Sequence, residues 1–207
     1  LYHLCGMRRI HAFDFDGTVT TCDTLLAFIR FAKGDRAFLA GFLRYSPWLV
    51  LMKLGLYPNW KAKQRVFAHF FKGWTLTGFD TCCRRFAATH AALLRPKAVE
   101  AIQAALAKGD TVVVVSASID NWVAPFFRNL AGKEPMAVTV LGTRVETDGG
   151  VLTGRFVGNN CYGEEKVRRL RERFPDRGEY ELVAYGDSRG DKELLAYADK
   201  GYFRPFE

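Results

Sequence analysis

Short apolar runs that end in polar residues recur four times along the chain. They fall at residues 9–15, 111–115, 137–141 and 182–185. Runs of this kind mark strands buried on both faces, as in a parallel sheet. Between them the apolar positions recur at helical spacing. Residues 96–108 are the clearest case: Pro96 suits a first turn, Ala98, Ile102, Ala105 and Leu106 share a face, and Gly109 closes the helix. Residues 121–130, 164–174 and 191–198 give similar patterns. Alternation of strand and helix predicts an α/β fold built on a doubly wound parallel sheet.

The segment between the first two strands is far longer than a crossover requires, and it carries no strand pattern. Residues 24–32, 36–54, 60–71 and 79–94 all read as helices. The pattern therefore predicts a helical cap over 21–94, inserted into a core made of 1–20 and 95–207. A small β-hairpin is expected over 138–157, with its turn at Asp148-Gly149-Gly150.

Composition narrows the class. The 207 residues are 49% hydrophobic and 25% charged, as in an ordinary globular chain. The net charge of +8 suits either a solvated basic surface or attraction to anions such as phosphate esters and lipid headgroups. No dense Lys/Arg block appears, which argues against a nucleic-acid partner. Cys5, Cys22, Cys82, Cys83 and Cys161 are odd in number and form no CxxC pair. That pattern predicts reduced thiols and a cytoplasmic location. Cys82-Cys83 reads as packing. Residues 1–9 lack the order of a signal peptide. The most apolar stretch, 38–57, is broken by Arg44, Pro47 and Lys53, so no transmembrane helix is expected.

Candidate chemistry gathers at the strand ends. Asp14-Phe15-Asp16-Gly17-Thr18 follows the first strand, and side chains two apart on a strand share a face. Asp14 and Asp16 are thus expected side by side at the sheet's carboxyl edge, where open α/β sheets bind ligands. Two adjacent carboxylates call for a cation, and Mg²⁺ prefers oxygen donors. The run 112–115 delivers Ser116 and Ala117 to the same edge, where a hydroxyl and backbone N–H groups suit phosphate oxygens. Lys166 stands early in a helix and can meet a phosphate as a point charge. Gly186-Asp187-Ser188-Arg189-Gly190-Asp191 closes the set. Asp187 suits a metal, and Asp191 suits a water-mediated contact, an orienting bond to Lys166, or a helix N-cap.

In this order the motifs resemble those of the haloacid dehalogenase superfamily, in its phosphatase branch. The DxDx[TV] pattern at Asp14–Thr18, the strand ending at Ser116, Lys166 and the GDxxxD run at Gly186–Asp191 carry the likeness. The insert after the first motif resembles that superfamily's first type of cap. The hairpin and the run CYGEEK at 161–166 resemble subfamily IB, which includes phosphoserine phosphatase-like enzymes. The resemblance implies Asp14 as nucleophile and Asp16 as general acid and base. It implies Ser116, Ala117 and Lys166 as phosphate ligands. It further implies Mg²⁺ held by Asp14, the Asp16 carbonyl and Asp187, with Asp191 behind them.

Three sites depart from the phosphoserine phosphatase pattern. Gly190 replaces an Asn, Ser116-Ala117-Ser118 replaces Ser-Gly-Gly, and Asp23 replaces a Glu that meets the substrate amine. Specificity is therefore expected in the cap, with Asp23 and Arg65 foremost and Lys61 and Lys63 beside them. The aromatic stretch 38–60 either packs the cap or forms a rim for a lipid phosphate or a membrane surface. A small phosphorylated metabolite fits the motifs equally well, and transfer of the phosphoryl group to an alcohol is an alternative to hydrolysis.

Overall fold

The computed structural model describes residues 7–129 and 137–207. Cys5, most of the 1–9 segment and the last residue of the predicted 121–130 helix lie outside them. Six strands form one sheet in the order β4-β3-β2-β1-β5-β6. These are β1 (Arg8–Phe13), β2 (Thr111–Ile119), β3 (Val138–Asp148), β4 (Val151–Val157), β5 (Tyr180–Gly186) and β6 (Lys200–Phe203). All neighbours run parallel except β3 and β4. The α/β class and the parallel sheet therefore stand as the apolar runs predict.

Side-chain alternation on β1 explains why both faces are covered. Ile10 and Ala12 pack with Leu170 of α6 (Glu164–Arg173), Phe174 at its end, and Leu194 of α7 (Lys192–Tyr197). On the other face Phe13 packs with Ala98 and Ile102 of α4 (Pro96–Ala107) and Trp122 and Phe126 of α5 (Asp120–Asn129).

The third parallel strand and the first arm of the hairpin, which overlap in the sequence pattern, are one element. Val138–Leu141 of β3 pair with β2, and beyond an irregularity in register the same strand turns back into β4. Strand β6 is unpredicted. All four of its residues are exposed, so it has no buried face to leave an apolar signature.

The cap consists of α1 (Thr24–Lys53), α2 (Asn59–Phe71) and α3 (Leu76–Thr89). The two helices predicted over 24–54 are joined through Gly34, whose φ of +78° breaks α1. The predicted 79–94 helix starts earlier and ends earlier. Thr75 accepts the Gly78 N–H and sets the start, and a separate tight turn follows at Ala91–Leu93.

Phe28, Phe67, Phe71, Phe79 and Phe86 fill the centre of the cap. Each such buried ring contributes about 1.5–3 kcal/mol. Phe28 stacks on Trp122 with ring centroids 5.0 Å apart, and Phe86 meets Phe126 at 5.7 Å. Cap and sheet thus share one apolar core. The chain enters and leaves the cap side by side. Thr21 N–H donates to the Leu93 carbonyl at 2.9 Å, and Arg95 N–H to the Val19 carbonyl at 2.8 Å. The hairpin braces the cap from the side, with Gly73 N–H on the Leu152 carbonyl at 2.9 Å and Leu152 N–H on that of Trp74 at 2.8 Å.

Cys83 and Cys161 are buried and no described cysteine is paired. Cys83 packs in the cap core, as its place in a helical pattern suggests. Burial pushes the Cys161 thiol up to about 11.

Candidate active site

Strands β1, β2 and β5 are adjacent and parallel, so their carboxyl ends open onto one edge. Strand β1 stops at Phe13. Asp14 is still extended and its N–H donates to the Tyr185 carbonyl of β5 at 2.9 Å. Phe15–Val19 then wraps into a wide turn through Gly17, at φ +84°. A Cβ on Gly17 would lie 2.4 Å from Asp187 Oδ2, so only glycine lets this loop pass beside β5.

That turn overrides the strand periodicity expected of Asp14 and Asp16. The Asp14 carboxylate points to Lys166, which is buried at the start of α6. Lys166 Nζ donates to Asp14 Oδ1 at 2.5 Å and to Asp191 Oδ1 at 2.6 Å. Asp191 Oδ2 accepts from Ser188 Oγ at 2.9 Å, Ser188 N–H at 3.0 Å and Asp187 N–H at 3.2 Å. Both Asp191 oxygens are therefore engaged, and this buried carboxylate fixes Lys166 and its own loop. Thr18 Oγ1 lies 3.0 Å from Asp187 Oδ1 and 3.3 Å from Asp14 Oδ2. One carboxylate oxygen from each of Asp14, Asp187 and Asp191 lies within 4.8 Å of the others.

The electrostatics follow from burial. Desolvation pushes the Asp14 carboxyl up to about 8, against the pull of Lys166. Desolvation also opposes the Lys166 ammonium, but Asp14 and Asp191 outweigh it and hold its pKa above the usual lysine value. Asp187 is raised by burial, with the Thr18 hydroxyl opposing.

Asp16 faces elsewhere. Its Oδ1 accepts from Thr24 Oγ1 at 2.6 Å and Thr24 N–H at 2.7 Å, and its Oδ2 accepts from Ser118 Oγ at 2.5 Å. Trp122 Nε1–H reaches Thr24 Oγ1 at 3.2 Å. Thr18 and Ser118 stand inside the motifs quoted from the sequence, which give them no role there. Thr24 and Trp122 are not singled out and carry no local signal. Ser116 is fully buried and its Oγ accepts the Ser118 N–H at 3.0 Å. Ala117 lies on the cavity wall.

Above these groups is a cavity of about 720 Å³. Its floor is polar, with Asp14, Asp16, Lys166 and Asp187. Its cap walls are apolar, with Leu25, Ile29, Phe38, Phe42 and Phe70 among them. Asp23 and Lys63 also line it. Asp23 Oδ1 accepts the Leu25 N–H at 2.9 Å and so caps α1, while burial and then Asp16 raise its pKa. Arg65 does not line the cavity. Its guanidinium carbon sits 4.1 Å from the Trp48 ring centroid and 5.4 Å from that of Tyr57, joining α1 to α2. Lys61 is exposed and likewise outside. Where phosphoserine phosphatases carry an Asn, Gly190 makes room for the Tyr162 ring. A Cβ there would meet Tyr162 Cε2 at 2.5 Å, and Tyr162 lines the cavity.

Residues 12–196 match the haloacid dehalogenase-like hydrolase family. Protein CicA of Caulobacter vibrioides is 41% identical over 198 residues, covering 94% of this chain and 85% of its own. Among solved structures, a protein of unknown function from Bordetella pertussis Tohama I aligns with a TM-score of 0.78. Its identity is 22%, over 93% of this chain and 88% of that one. A phosphoserine phosphatase captured with a phospho-aspartyl intermediate analogue aligns at 0.64. There the identity is 19%, with 93% and 84% coverage.

Proposed function

The chain belongs to the haloacid dehalogenase-like hydrolases, and on that premise we propose that it is a Mg²⁺-dependent phosphate-monoester hydrolase using Asp14 as nucleophile. The supporting observation is the ion cluster: three carboxylates, Asp14, Asp187 and Asp191, beside the buried ammonium of Lys166. Their formal sum is −2, which a divalent cation balances. The donors are all oxygen, and the oxygens of Asp14 and Asp187 border the cavity, so a hard cation fits. Asp14, Asp187 and the Asp16 carbonyl would hold it. Bound there, Mg²⁺ neutralises charge between the attacking carboxylate and the anionic ester.

The residues of the chain then divide the work. Lys166, the Ser116 region and the Ala117 backbone bind the phosphoryl oxygens. An Asp14 carboxylate oxygen bonds to phosphorus as the ester P–O bond breaks. Asp16 gives its proton to the departing oxygen. In the second half, Asp16 takes a proton from water, whose oxygen bonds to phosphorus. The bond between the Asp14 oxygen and phosphorus breaks, releasing inorganic phosphate and restoring the Asp14 carboxylate and the Asp16 proton. Residues 21–94 serve as the specificity cap, over a core of 1–20 and 95–207. A reducing, cytoplasmic setting is part of this reading.

A second reading concerns the leaving group. The apolar cap walls favour an ester whose alcohol is itself apolar, a lipid phosphate included. The test is turnover of an aryl phosphate, then of phosphorylated amino acids, sugars, nucleotides and lipid headgroups. Chelator should silence it and Mg²⁺ restore it. Asp14→Asn should abolish turnover and the acid-stable phosphoryl adduct on the protein. A variant retaining near-native rate removes the nucleophile assignment. Added alcohols that collect the phosphoryl group in place of water would identify a phosphotransferase.

A further inference from the structure

Residues 36–79 contain seven Lys or Arg and no Asp or Glu. This one stretch of the cap carries +7 of a chain whose total is +8. The same stretch leaves its largest apolar side chains in solvent. Leu39, Leu43, Val50, Leu54 and Leu56 are 55–72% exposed, and Trp60 is 45% exposed. Leu39, Leu43, Val50 and Leu54 follow one another at steps of four, seven and four, the spacing of one helical stripe. Leu56 and Trp60 extend it through the link into α2. Arg36, Arg44 and Lys61 are exposed around it, and Lys61 Nζ lies 5.3 Å from the Trp60 ring centroid.

Exposed leucines flanked by cations, with an aromatic residue at the edge, suit the headgroup layer of an anionic bilayer. Charge decides against the simplest rival. A second copy docked face to face would set Arg36, Arg44 and Lys61 against the same three cations of its partner, with no acid in the stretch to offset them. No described helix is long and apolar enough to cross a membrane.

The stripe adjoins the cavity. Phe42 and Val50 are exposed and also line the cavity wall, so its rim reaches this surface. We propose that the basic, leucine-rich outer face of the cap, from Leu39 to Lys61, docks on anionic lipid bilayers with the cavity opening beside the membrane. The docking does not depend on the phosphatase reading. If both hold, esters presented at a lipid surface reach Asp14 without crossing bulk water.

The test uses the full chain and co-sedimentation with vesicles of phosphatidylcholine alone or of phosphatidylcholine and phosphatidylglycerol at three to one. Binding is expected only to the anionic vesicles, and it should fall as salt is raised. Leu43→Glu with Leu54→Glu should cut binding at least about tenfold, and Arg44→Gln with Lys61→Gln several-fold. None of these four side chains lines the cavity, so the unfolding midpoint and aryl phosphate turnover should stay at native values. The midpoint controls for folding even if the chain hydrolyses nothing. Equal binding to both vesicle types, or none at low salt, overturns the proposal. So does binding that the leucine pair leaves unchanged. A concentration-dependent dimer that the leucine pair dissolves, without vesicle binding, would assign the face to protein contact instead.

Discussion

The Asp16 carboxylate accepts both the backbone N–H and the hydroxyl of Thr24, at 2.7 and 2.6 Å, in the first turn of α1. The proposed proton donor is therefore tied to the start of the cap, while Asp14 two residues earlier is tied to Lys166 in the core. Asp16 is held by Ser118 on its other oxygen, and Thr24 by Trp122. Thr24→Val keeps the shape of the side chain and removes two of these bonds, the one its hydroxyl donates to Asp16 and the one it accepts from Trp122. It should lower kcat roughly tenfold to a hundredfold with KM little changed, because misplacing a proton donor acts on chemistry more than on binding. Steady-state kinetics on an aryl phosphate measures this. A change confined to KM would make Thr24 a substrate contact instead.

Among the described residues Lys166 is the only ammonium bonded to this cluster, through Asp14 and Asp191. Lys166→Met would leave Asp14 and Asp191 buried without their counter-charge. Removing one partner of a buried ion pair costs about 3–5 kcal/mol. Urea unfolding in chelator should show a loss of this size, and added Mg²⁺ should recover part of it by mass action. A variant as stable as the native chain in chelator would mean that the cluster is better solvated than its burial implies.

Much of this site is legible in the sequence because strands buried on both faces leave continuous apolar runs. The runs at 9–15, 111–115 and 182–185 point to Asp14, Ser116 and Asp187 at one edge, and the sheet order places them there. The orientation of Asp16 is not legible. Strand periodicity applies only while the backbone is extended, and the chain turns at Gly17. Its partners lie 8 and 102 residues away, with no local pattern to join them. Arg65 misleads for a related reason. A cation in a cap reads as a substrate contact, but its partners are the aromatic faces of Trp48 and Tyr57, and that pairing is a product of how α1 and α2 fold together.

Acid should loosen the helix that carries Lys166. Hydrogen bonds from Arg168, then from Arg169, hold Glu165 down to about 2 from an ordinary 4.5. Its folded pKa is depressed, so its contribution is fully present above 4.5 and is lost as pH falls through 2. Glu165→Gln should lower the melting temperature near neutral pH, and the difference from the native chain should shrink below about pH 4.5 and close as pH falls through about 2. Melting curves across that range measure it. A difference that stays constant down to pH 2 would show that Glu165 acts through packing alone.

Gly17 and Gly149 separate backbone strain from damage to the site. Both have positive φ, +84° and +53°, so alanine at either costs about 1–2 kcal/mol of local strain. At Gly149 an added Cβ meets nothing within 4 Å. At Gly17 it would lie 2.4 Å from Asp187 Oδ2, a carboxylate also held by Thr18. Gly149→Ala should therefore lower the melting temperature slightly and leave the Mg²⁺ dependence of turnover untouched. Gly17→Ala must push Asp187 aside. It should raise the Mg²⁺ concentration for half-maximal activity at least about tenfold, and it should weaken the stabilisation that Mg²⁺ gives in thermal melts. The two readouts together are decisive. If Gly17→Ala loses stability like Gly149→Ala yet responds to Mg²⁺ as the native chain does, Asp187 is not a ligand and the cation sits elsewhere.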